Sequence, residues 1–188
     1  MQQGCCIQAY MEVFTASSIN EFRTSKKLKR VVYMWRWLWL SSIVVILDQW
    51  TKKLIEEKFV LYETLPVTDF FNLVLVYNTG AAFSFLSDAG GWQRWFFLVV
   101  AIGISIYLVW WLLQLKKEQI LLPFALAMII GGAIGNVIDR FLYGHVIDFL
   151  DFYINDWHWP AFNLADSAIV LGVTLFIWDA IFGKQEQQ

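Results

Sequence analysis

Charge is scarce in this sequence, and so are the residues that build metal sites and disulfide frameworks. Only 16% of the 188 residues are Asp, Glu, Lys or Arg, where a soluble domain carries roughly 25%. The chain has 2 histidines, His145 and His158, and their spacing fits no zinc motif such as HExxH. Its 2 cysteines, Cys5 and Cys6, are adjacent and make no disulfide framework. No metal or other cofactor is therefore expected. The glycines of GGAIGN are followed by no Lys-Ser/Thr and preceded by no strand, which argues against a phosphate-binding loop. The DTG or DSG signature of soluble aspartic proteases is absent. A net charge of -2, with no basic patch interleaved with aromatics, gives no reason to expect a nucleic-acid partner.

Apolar residues fill the space that charge leaves. They make up 59% of the chain, with 11 tryptophans, and that combination marks an integral membrane protein. Hydrophobic runs predict an all-α membrane protein with four spans, at about 31–55, 92–115, 120–139 and 162–182. At about 1.5 Å per residue each can cross a hydrocarbon core of roughly 30 Å. Pro123 falls in the first turn of the third span, where proline is tolerated. Gly131 and Gly135, four apart, predict close helix packing. Residues 59–88 contain the short β-branched and aromatic runs FFNLVLVYN and AAFSF around Asn78-Thr79-Gly80. They read as a small β-element lying on the membrane.

Residues 1–30 are polar and mixed, without the apolar core of a signal peptide. They are expected to be a disordered extension, or to lie upstream of a translation start at Met34. The membrane domain is expected to occupy 31–184. Lysine and arginine collect in the N-terminal flank, at Lys116 and Lys117, and at Lys184. With four spans these segments share one face, which the positive-inside rule makes cytoplasmic, with both termini.

The polar residues converge on the opposite face. Asp48 ends the first span; Asn78 lies in the first outer loop; Asn136, Asp139 and Arg140 end the third span. Asp148, Asp151, Asp156 and Asn163 are read as the following loop, and Asp166 opens the fourth span. Ionisable groups beside apolar spans are costly and call for a function. Two carboxylates held together do not easily both ionise, so one can act as general acid and the other as general base around a water. That suits peptide hydrolysis without a metal. Asp166 is a candidate because backbone N–H groups at a helix start favour its charge. For its partner, Asp139, Asp148, Asp151 and Asp156 all qualify on spacing. From composition and spacing alone, a transporter with an outward-facing acidic site is an equal alternative. The loop tryptophans Trp157 and Trp159 read as an interfacial anchor rather than a gate.

Four blocks then appear in order: DQWTK (Asp48–Lys52), NTGAAFSF (Asn78–Phe85), GNVIDR with HVIDF (Gly135–Phe149), and FNLADSAI (Phe162–Ile169). Together they closely resemble the lipoprotein signal peptidases, or signal peptidase II. The resemblance covers the chain from about Met34 onward. It implies four transmembrane helices with a small extracytoplasmic β-cradle in the bacterial cytoplasmic (inner) membrane. It implies an aspartic endopeptidase that cuts diacylglyceryl-modified prolipoproteins before the lipidated cysteine and is blocked by globomycin. The chain is expected to be monomeric among membrane lipids. The resemblance implies Asp148 and Asp166 as the catalytic pair. Asp48, Lys52, Asn78, Gly80, Asn136, Asp139, Arg140, Asn163 and Ala165 become substrate-binding or supporting residues, with Asp139 expected to pair with its neighbour Arg140. Asp151 and Asp156 become loop residues.

Overall fold

A computed structural model describes residues 24–25, 28, 31–80 and 92–183. The expectations for most of residues 1–30, for 81–91 (including the AAFSF run) and for 184–188 lie outside them. Among the described residues, four helices are long and apolar enough to cross a membrane. They are α1 (Leu38–Lys58), α2 (Trp92–Gln114), α3 (Leu121–Leu142) and α4 (Leu164–Phe182). The apolar helical stretch that contains α1 begins at Val31.

Helix α3 is the centre of the bundle, and the other three pack on it. Its sequence explains why. GGAIG removes side-chain bulk on two faces, so neighbouring backbones approach closely. Gly131 lies against Ser41 and Val44 of α1, and Gly132 against the Ala165 carbonyl and Ile169 of α4. The predicted packing role of Gly131 and Gly135 is what the structure shows. Ser41 Oγ adds a hydrogen bond to the Ala127 carbonyl at 2.8 Å. Met34, Leu108, Leu112, Leu122, Leu126 and Ile130 form a core at the end of the bundle away from the sheet. In α1, Ser41, Val44, Asp48, Lys52 and Ile55 are buried, while Ile43, Ile46, Leu47 and Trp50 face outward. The helix is therefore apolar towards the bilayer and polar at its packed face.

The sheet caps one end of the bundle. It is antiparallel in the order β1-β2-β3-β4, with β1 Thr64–Thr68, β2 Phe71–Asn78, β3 Val146–Ile154 and β4 Trp157–His158. Strand β3 corrects the loop reading of Asp148 and Asp151. The segment VIDFLDFYI pairs with β2 over Asn78↔Val146, Val76↔Asp148 and Asn72↔Asp151. Its partner strand lies some seventy residues away, so the pairing left no local sign. Ile55, Leu75, Ile147 and Phe149 bury the inner face of the sheet against the end of α1. Between α3 and β3 the chain reverses at Gly144, whose φ of 86° suits glycine at the residue after a helix C-cap.

Candidate active site

Helix α4 begins with a capping box. Asn163 is the N-cap, and its side-chain oxygen accepts from the Asp166 N–H at 2.9 Å. The Asp166 carboxylate accepts in return from the Asn163 N–H. Asp166 thus sits in the first turn, where the helix end favours negative charge. Its Oδ1 also accepts from Asn136 Nδ2 of α3 at 2.7 Å.

Asp148 faces it from β3 and is 2% exposed. One carboxylate oxygen accepts from Asn163 Nδ2 at 2.7 Å, the other from Asn78 Nδ2 at 2.9 Å. Burial, first, and the charge of Asp166, second, push the Asp148 carboxyl up to about 7, against the pull of the two amides and Lys52. Asp148 and Asp166 line one cavity of about 710 Å³. Asn78, Trp159, Pro160, Ala161 and Phe162 form the wall at the sheet end of this cavity. Ser167, Val170, Leu171 and Thr174 of α4 form a stripe at helical spacing that leads away from it.

Behind the carboxylates lies a buried ion cluster. Lys52 Nζ is 2.8 Å from Asp48 Oδ2, 2.8 Å from Asp139 Oδ2, and donates to Asn136 Oδ1 at 3.0 Å. Asp48 Oδ1 accepts from the Ala165 N–H at 2.9 Å, tying α1 to the start of α4. A Cβ on Gly135 would stand 2.5 Å from Asp48 Oδ2, so that glycine leaves the carboxylate its place. Asn136 accepts from Lys52 and donates to Asp166, joining the cluster to the cavity. Arg140 donates to the Gly80 carbonyl at 3.0 Å, and Gly80 N–H donates to Asn78 Oδ1 at 3.0 Å.

Of the four carboxylates that spacing allowed as partners for Asp166, Asp148 is the one that shares its cavity. Asp139 is held by Lys52, by Gln49 Nε2 at 2.7 Å and by the Ile147 N–H. It does not pair with Arg140, which corrects that expectation. Neighbours on a helix point about 100° apart and do not face each other. Asp151 is no loop residue: it is buried on β3, bound to Asn72 and near His158. Asp156 is exposed between β3 and β4. Sequence reasoning missed Gln49, although it lies inside DQWTK. It also missed Arg94, which donates to the Arg140 and Phe141 carbonyls at 2.8 and 2.7 Å and caps α3. No group of three or more potential metal ligands occurs among the described residues.

Comparison with known proteins agrees with this architecture. The family described as Signal peptidase (SPase) II matches residues 40–182. A lipoprotein signal peptidase from Janthinobacterium sp. (strain Marseille) is 59% identical over 145 residues, covering 77% of this chain and 87% of that protein. One from Alteromonas mediterranea is 55% identical over 144 residues, covering 77% and 79%. A solved structure described as a bacterial membrane enzyme superposes with TM-score 0.73 at 32% identity, covering 81% of this chain and 92% of that one. The match spans the four helices, the sheet and the cavity that holds both carboxylates, and the chain belongs to the signal peptidase II family of aspartic endopeptidases.

Proposed function

We propose that this protein removes the signal peptide from diacylglyceryl-modified prolipoproteins, with Asp148 and Asp166 as general acid and general base. The observation that carries the reading is the shared cavity. Two carboxyls from different elements open into it, one of them pushed up to about 7. A carboxyl with that affinity keeps a proton near neutrality, as a general acid requires, and the first turn of α4 presents the second carboxyl to the same cavity.

In this reading Asp166 takes a proton from water, and the water oxygen attacks the scissile carbonyl carbon. Asp148 gives its proton to the carbonyl oxygen, forming a gem-diol. As the diol collapses, Asp148 recovers a proton from one hydroxyl and Asp166 passes its own to the departing nitrogen. The C–N bond breaks and both carboxyls return to their starting states. Asn78, Asn136 and Asn163 hold the two carboxylates in place. Arg140, through Gly80 and Asn78, steadies the far wall. Asp48, Lys52, Asp139 and Ala165 fix the geometry of α1, α3 and α4 beneath.

The α4 stripe supports a lipidated substrate. From Ser167 to Thr174 it runs about 10 Å down a spanning helix, so acyl chains can stay in the hydrocarbon while the peptide reaches the carboxyls. With the lysine-rich flanks cytoplasmic, the cavity lies near the extracytoplasmic surface. The enzyme works as a monomer in the bacterial inner membrane, and its membrane domain occupies 31–184.

The test is a gel-shift assay with purified protein in detergent and lipid. Lipidated prolipoprotein is expected to be cleaved and the unlipidated form spared. Asp148→Asn and Asp166→Asn should each remain folded and inactive. Retained cleavage in either variant overturns the assignment.

A further inference from the structure

The hydrolytic reading leaves one cluster unused, a buried Asp151 and Asn72 closed by a half-exposed His158. The Asp151 carboxylate accepts from Asn72 Nδ2 of β2 at 2.9 Å. His158 Nδ1 of β4 lies 2.9 Å from both of its oxygens. Asp151 is 7% exposed and Asn72 5%. A buried carboxylate is costly unless donors satisfy it, and here the donors come from the strands on either side. The His158 ring also stacks on Tyr153, 5.0 Å between centroids at 14°. None of the three polar residues hydrogen-bonds to Asp148 or Asp166.

The cluster holds the segment that walls the cavity. Strand β4 has two residues, and so short a ladder is marginal by itself. Directly after it, Trp159 N–H donates to the Phe152 carbonyl at 2.8 Å. Trp159, Pro160, Ala161 and Phe162 then line the cavity. Phe162 returns to β3, exchanging hydrogen bonds with Leu150. The wall is thus strung between two anchors, the Asp151 cluster and the Phe162–Leu150 bridge.

We propose that Asn72, Asp151 and His158 form a clasp that positions Trp159 as the aromatic wall of the cavity, against the polypeptide part of the substrate. The proposal rests on the peptidase reading. The assignment to polypeptide follows from placement. Trp159 belongs to the sheet end, outside the spanning helices, whereas the α4 stripe leads into the span. The three are positioning residues for binding, not for the chemical step.

The experiment combines kinetics with a signal that needs no turnover. His158→Phe keeps an aromatic ring to stack and removes the Nδ1 donor. His158→Asn restores an N–H donor at the same position along the side chain. With lipidated prolipoprotein, His158→Phe is expected to raise KM by about tenfold, the worth of one lost hydrogen bond to a carboxylate, with kcat nearly unchanged. His158→Asn should recover most of that loss. In protein labelled with 5-fluorotryptophan, the Trp159 resonance is assigned by its disappearance in Trp159→Phe. It should shift or broaden in His158→Phe and return in His158→Asn. A Trp159 signal unmoved by His158→Phe overturns the clasp, whatever the activity. So does an unchanged KM, or a loss confined to kcat. A parent protein inert on the lipidated substrate sinks the peptidase reading instead, and the fluorine signal still decides whether the clasp holds the wall.

Discussion

Replacing Lys52 with methionine tests whether the buried ion cluster holds the site together. The Lys52 ammonium is 2.8 Å from both Asp48 and Asp139 and 3.0 Å from Asn136 Oδ1. Lys52 is 1% exposed, Asp48 0% and Asp139 1%. Methionine fills most of the space of the lysine stem, so the change removes charge and donors more than volume. Two buried carboxylates are then left without their cation. Breaking a buried pair in this way costs about 3–5 kcal/mol. For a chain of this size, each kcal/mol lowers the melting temperature by about 2–4 °C, so Lys52→Met should melt about 6–20 °C below the parent. The assay is thermal unfolding in detergent, followed by intrinsic fluorescence. The double variant Lys52→Met/Asp139→Asn removes one of the stranded charges and should recover at least half of the loss. A single variant that melts within about 3 °C of the parent would refute the reasoning, because the cluster would then contribute little.

Two further outcomes follow from the geometry. Asp148 is pushed from the ordinary 3.8 up to about 7, so the folded state holds a proton that the unfolded state releases between those values. Its stabilising contribution is fully present below about pH 4 and is lost as pH rises through about 7, by about 4 kcal/mol at most. Melting temperatures from pH 5 to 8 should fall in the parent and stay flatter in Asp148→Asn; parallel curves would contradict this. A Cβ at Gly132 would strike the Ala165 carbonyl and Ile169, whereas at Gly103 nothing lies within 4 Å. Gly132→Ala should therefore destabilise by about 1–3 kcal/mol and Gly103→Ala should not, measured by the same unfolding assay.

Some of this site could be read along the chain. The four spans follow from run length and hydropathy, because a helix satisfies its own backbone and needs no distant partner. Asp48 and Lys52, at i and i+4, are neighbours on any helix. Asn163-Leu-Ala-Asp166 reads as the start of a helix, so the charge in its first turn is local information as well. The choice of Asp148 among the four candidate partners came from resemblance to a family; residue spacing left it open.

The rest depended on contacts between distant segments. Asp139 pairs with Lys52 on another helix rather than with Arg140, its neighbour in sequence, because α1 and α3 meet where glycine gives them room. Asp148 and Asp151 lie on a strand because β2 offers an edge for VIDFLDFYI, and no local pattern announces a partner that far away. The elevated affinity of Asp148 for its proton arises from burial and from Asp166, which the fold brings together. The sequence by itself determined which segments cross the membrane and which local polar pairs form, since those depend on the chemistry of neighbouring residues. The tertiary structure alone decided which carboxylates share a cavity and which are neutralised by a lysine, since those depend on distances between elements that the chain order does not specify.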